Sequence, residues 1–103
     1  MKILISKTKI SDPELFIRRL GYGRIVNRRA NEVSYARRLR RELYPRFHVY
    51  IEDKGDSWSF NLHLDQRATV YEGATAHSGD YDGPVVEAEW KRILFQVHTL
   101  DKI

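Results

Sequence analysis

The chain has 103 residues, no cysteine, 18 Lys plus Arg against 14 Asp plus Glu, and a formal charge of +4. That length suits one domain with a single core. The absent thiols exclude disulfides, thiolate metal sites and cysteine nucleophiles, which fits a cytoplasmic setting. The apolar run Ile3-Leu4-Ile5 is too short for a signal-peptide core, and no later run is long enough to cross a bilayer, so no membrane partner is expected.

The net charge conceals a division. Up to Tyr50 the acids are Asp12, Glu14, Glu32 and Glu42, heavily outnumbered by arginine and lysine. Beyond Tyr50 the acids dominate, from Glu52, Asp53 and Asp56 to Glu87, Glu89 and Asp101. Such asymmetry points either to a polyanionic partner or to two halves whose charges meet across the fold.

In chain order, residues 3–5 are expected as a short edge strand. Ser11 is the expected N-cap of a first helix, with Glu14 closing a capping box and Pro13 in the first turn. Ile10 and Leu15 would form its hydrophobic staple, Leu15, Phe16 and Leu20 its apolar face, and Gly21 its stop. From Tyr22 to Leu43 two readings compete. Residues 24–28 and 33–37 are rich in β-branched side chains and tyrosine, which favours two strands joined around Ala30-Asn31. Alternatively Asn31 caps a helix with Val33, Ala36, Leu39 and Leu43 along one side. The strand reading is preferred, turning helical near its end.

Residues 46–66, RFHVYIEDKGDSWSFNLHLDQ, carry the strongest pattern. Phe47, Val49 and Ile51 alternate with polar residues, and Trp58, Phe60, Leu62 and Leu64 do so again after Asp53-Lys54-Gly55-Asp56. Period-two patterning around a glycine-bearing turn predicts a β-hairpin. With Lys54-Gly55 as a two-residue loop, Ile51 faces Trp58, Val49 faces Phe60, Phe47 faces Leu62, His48 faces Asn61 and Arg46 faces His63. Residues 66–83 show no sustained period beyond a short strand expected at 68–71. From Pro84 onward Val86, Trp90, Ile93, Leu94 and Val97 form one helical stripe, expected to cover the hairpin's apolar side. The fold class that follows is α+β: an antiparallel sheet of two hairpins with an N-terminal and a C-terminal helix packed on one face, all in one domain over residues 1–103.

Two residue groups carry chemistry. Arg24, Arg28, Arg29, Arg37, Arg38, Arg40, Arg41 and Arg46 are interleaved with tyrosines, of which Tyr35 and Tyr50 are candidate stacking surfaces. Guanidinium forks match phosphate and stack on bases, and tyrosine rings suit unpaired bases. A non-enzymatic module that binds RNA or single-stranded DNA is the leading functional reading. The alternative is a small metal- or ligand-binding enzyme using His48, His63, Asp65, His77, Asp80 and Asp82 beneath the 66–83 segment. His63-x-Asp65 on a strand puts both side chains on one face, but the spacing matches no zinc signature. A protein-interaction subunit using unpaired strand edges is a third reading. No cofactor is implied: Gly21-Tyr22-Gly23 lacks the third glycine and the preceding strand of a dinucleotide site. Adjacent Ser78, His77 and Asp80 lack the nucleophile elbow of a hydrolase.

The segments Tyr44-Pro45-Arg46-Phe47-His48, Asn61-Leu62-His63-Leu64-Asp65-Gln66, Tyr71-Glu72-Gly73 and 77–83 together resemble a small family of uncharacterised proteins from uncultured bacterial lineages. That resemblance implies no activity, cofactor or partner. The order helix, strands, helix is also similar to that of double-stranded-RNA-binding domains. However, Pro84 and Glu87 give the last helix an opening of the wrong charge for gripping phosphate.

Overall fold

The computed structural model describes residues 1–66, 79–80 and 83–101. It is an α+β domain with an antiparallel sheet and two helices. The elements are β1 (Lys2–Ser6), α1 (Pro13–Arg19), β2 (Gly23–Asn27), β3 (Glu32–Arg38), β4 (Arg46–Asp53), β5 (Ser57–Asp65), β6 (Gly79–Asp80) and α2 (Pro84–Asp101). The strand order is β1-β5-β4-β3-β2, with β6 pairing β5 off this path. The edge strand expected at 3–5 therefore exists and lies beside β5. The expected strand at 68–71 lies outside the described residues.

Helix α1 starts one residue later than its capping box suggests. Asp12, in extended conformation, accepts a hydrogen bond from the Leu15 N–H at 3.0 Å, so it is the cap and Pro13 is the first helical residue. The buried face also differs from the expected one: Ile17 rather than Leu15 joins Phe16 and Leu20 in the core, and Leu15 remains 46% exposed. The stop is the one expected. Gly21 has φ +102°, its N–H donates to the Arg18 carbonyl at 3.0 Å, and the Tyr22 N–H donates to the Ile17 carbonyl at 3.3 Å. This Schellman arrangement reverses the chain and turns Tyr22 into the interior.

The helical alternative for 31–43 does not hold. Asn31 has φ +51° and occupies a turn, with the Asn27 Oδ1 accepting from the Ala30 N–H at 3.2 Å. β3 then runs extended to Arg38, and 39–45 is irregular, so no helical end forms. Left-handed backbone is tolerated by asparagine in turns, which is why a helix-cap reading and a turn reading share the same residue.

β4 and β5 pair in a register two residues from the expected one. Asp53 faces Trp58, Ile51 faces Phe60, Val49 faces Leu62 and Phe47 faces Leu64. The reason lies in the turn. Lys54 N–H donates to the Ser57 carbonyl at 2.9 Å, Asp53 Oδ1 accepts from the Gly55 N–H at 2.9 Å, and Gly55 takes φ +93°. The two-residue loop is Gly55-Asp56 rather than Lys54-Gly55, one position further along the chain. Because the shift is even, each apolar residue keeps its face.

Phe47, Val49, Phe60, Leu62 and Leu64 are buried together with Ile3 and Ile5 from β1, Phe16 and Ile17 from α1, and Val86, Ile93 and Val97 from α2. Trp58 and Trp90 pack at the margin, and the Trp58 Nε1–H donates to the Ile10 carbonyl at 2.9 Å. Among the described residues no helix is long and apolar enough to cross a membrane.

Candidate functional site

Side chains alternate across a strand, so register decides which polar groups meet. With Ala36 opposite His48 and His48 opposite His63, the residues Ser34, Arg46, His48, Tyr50, His63 and Asp65 share the sheet face opposite the Val49 and Leu62 core. The expected pairing set His48 against Asn61 and Arg46 against His63. In the structure Tyr50 takes Asn61, His48 takes His63, and Arg46 takes Asp65. The displaced turn thereby assembles two imidazoles and a carboxylate.

His48 lies at the centre. Its Nδ1 is 3.0 Å from Asp65 Oδ2, and its Nε2 is 2.7 Å from Ser34 Oγ. His63 Nε2 is 3.9 Å from the other Asp65 oxygen, Oδ1. Arg46 donates through Nε to Asp65 Oδ2 at 3.4 Å. The imidazole rings of His48 and His63 are 5.1 Å apart, and the Tyr50 ring lies 4.7 Å from His48 and 5.7 Å from His63. The four charged or titratable side chains are only 10% (His48), 14% (His63 and Asp65) and 17% (Arg46) exposed.

That burial governs their protonation. Loss of water is the main influence pushing the His63 pKa below the ordinary imidazole value, while Asp65 pulls the other way. For Asp65 burial alone would raise the pKa. The His48 hydrogen bond and the charges of His48, His63 and Arg46 outweigh it, and its carboxyl is held below the usual range. The centre thus favours a carboxylate beside a neutral His63 imidazole.

The remaining candidate residues separate. Arg37 faces the helices, with its Nη1 3.6 Å from Glu89, and Arg24 lies 3.9 Å from Glu14. Tyr35 is buried in the core, where burial and then Glu14 raise its phenol pKa. Arg46 stacks at 4.7 Å on Tyr44 as well as meeting Asp65. Arg28 and Arg29 are exposed in the turn between β2 and β3, while Arg38, Arg40 and Arg41 are exposed at the far end of β3. Asp80 is described through its backbone, which pairs with Leu64. His77 and Asp82 lie outside the described residues.

Sequence reasoning missed Ser34 and a second polar cluster. Ser34 falls in the polar phase of β3, but only the β3–β4 pairing brings it to His48. On the helix side, Tyr22 Oη donates to Glu89 Oε2 at 2.5 Å, and Arg92 meets both Glu89 oxygens at 2.7 and 3.0 Å. A polar Glu89 one residue before Trp90 in an amphipathic stripe was the one available signal. Comparison of the chain with protein-family models, with curated proteins and with solved structures gives no match.

Proposed function

We propose that this domain is a non-enzymatic, cytoplasmic module that binds RNA or single-stranded DNA through the arginines its internal ion pairs do not consume. One observation carries the reading. Arg28, Arg29, Arg40 and Arg41 are exposed, and among the described residues no carboxylate lies within ion-pair distance of any of them. The acidic second half does neutralise part of the basic first half, through Lys7–Asp53 at 2.6 Å, Arg46–Asp65 at 3.4 Å and Arg37–Glu89 at 3.6 Å. These arginines are the surplus. They stand at the two ends of β3, a strand of seven residues and thus about 23 Å long. An extended polyanion lying along the β2–β3 arm meets both groups, and guanidinium forks hold its phosphates without reading sequence.

The test is fluorescence anisotropy with a labelled single-stranded oligonucleotide over a range of salt. Log K should fall linearly with log salt, and Arg40→Ala with Arg41→Ala should reduce the slope by about 1.4, roughly 0.7 for each lost contact. Arg28→Ala with Arg29→Ala should act similarly. Arg37→Ala serves as the control, because its guanidinium is committed to Glu89. Absent binding at low salt, or an affinity indifferent to salt, defeats the proposal.

A further inference from the structure

We propose that His48, His63 and Asp65 form a binding centre for a divalent first-row transition metal, with zinc the ion to try first. One donor atom from each residue can be chosen so that all lie within 4.8 Å of one another. A zinc ion about 2 Å from each donor needs the donors about 3.3 Å apart in tetrahedral geometry. His48 Nδ1 and Asp65 Oδ2 are already 3.0 Å apart, and His63 Nε2 is 3.9 Å from Asp65 Oδ1. With one oxygen of Asp65 taken as the donor, an ion would have to draw the two imidazoles in by side-chain rotation from within 4.8 Å.

Three features distinguish this set from an incidental polar patch. The donors sit on paired, central strands, with His48 directly opposite His63 and Asp65 two residues along on the same face, so the backbone fixes their spacing. His48 is oriented from behind: Ser34 Oγ engages Nε2 at 2.7 Å, which leaves Nδ1 directed at the carboxylate. An outer hydrogen bond on the second ring nitrogen is how ligating histidines are held in the correct tautomer and rotation. Arg46 donates to Asp65 through Oδ2, so the carboxylate is steadied while Oδ1 faces His63. Imidazole and carboxylate donors without thiolate suit zinc, manganese, iron, cobalt or nickel. Three protein donors also leave a coordination position for water or an anion, as in reactive rather than structural sites.

The experiment is histidine side-chain NMR of the intact chain titrated with Zn²⁺ alone, with calorimetry in parallel. The His48 and His63 ring signals should shift together and saturate at one equivalent, while exposed His98 stays still. Ser34→Ala, which removes no donor, should weaken binding about 10-fold. His63→Ala should abolish it in a protein whose spectrum otherwise stays folded. Unmoved His48 and His63 signals, shifts confined to His77 or His98, or unchanged affinity in both variants would each overturn the proposal. The unmodified protein supplies the decisive reading, so a variant that fails to fold does not shelter it.

Discussion

Two polar clusters lie on opposite faces of one sheet, and their chemistry differs more than their burial. On the helix side Glu89, 3% exposed, collects Tyr22, Arg92 and Arg37, and Arg92 also donates to the Leu20 carbonyl at 2.9 Å. Every donor there is directed at a single carboxylate or a helix-end carbonyl. The cluster ties α2 to the end of α1 and to β3. On the opposite face Asp65 divides its oxygens between two imidazoles, and a serine and an arginine steady them. Imidazoles donate to metals and exchange protons in the physiological range. The comparison teaches that a buried polar network is a clasp when its members are guanidinium, phenol and carboxylate. Substitute imidazole for guanidinium and the same degree of enclosure surrounds groups able to ligate a metal or exchange a proton.

The largest expected effect falls on the clasp. Glu89→Ala strands a buried phenol and two guanidinium groups. Breaking a buried ion pair from one side costs about 3–5 kcal/mol, and the lower end applies because Arg37 and Arg92 are 36% and 33% exposed. Urea denaturation should therefore show a loss of about 3 kcal/mol, against about 1–2 kcal/mol for Asp65→Asn on the other face. Equal losses would remove the distinction between the clusters.

Alkaline pH separates them next. Burial first, and then the Glu89 carboxylate, push the Tyr22 phenol far above its ordinary value of 10.0. A raised folded pKa gives stability that is whole below the unfolded value and lost as pH rises beyond it. Stability should drop by about 1 kcal/mol for each pH unit above 10. Tyr22→Phe should remove much of that dependence, leaving the smaller contribution of Tyr35, whose phenol is also raised. Urea midpoints from pH 9 to 11 provide the measurement, and an unaltered slope in Tyr22→Phe would count against the clasp.

What the chain discloses by itself follows from parity and period. The alternation around Phe47 to Leu64 and the stripe from Val86 to Val97 identify strands, helix and core because burial depends on which face a residue occupies. The site depends instead on register, and an error of two residues leaves every face correct while exchanging every cross-strand partner. That is why His48 and His63 were each legible as candidates but their meeting was not. The arginines show the same limit. Arg37 and Arg38 are neighbours in sequence, yet one points to Glu89 and the other to the opposite face near Arg46. Tyr35 looked like a stacking surface because tyrosine suits that role, and it proved to be core because its phase matches Val49.

The smallest effect tests the imidazole face, in metal-free protein kept so by chelator. His63 has a depressed pKa because burial disfavours its charged form. Between about pH 6.5 and its folded value, the unfolded chain therefore takes up a proton that the folded chain refuses, and stability falls as pH falls. Asp65 works in a lower window. Its depressed folded pKa gives stability that is present above about pH 3.9 and lost on further acidification. His63→Gln keeps a polar side chain of similar length, removes the first of these, and takes away only one of several influences behind the second. It should cost under about 1 kcal/mol at pH 7.5, flatten the urea midpoint between pH 6.5 and 5, and leave the decline below pH 4 in place. If the two curves run parallel from pH 7.5 to 5, His63 is not titrating against its surroundings. The open face would then be another clasp, built with imidazoles in place of arginines.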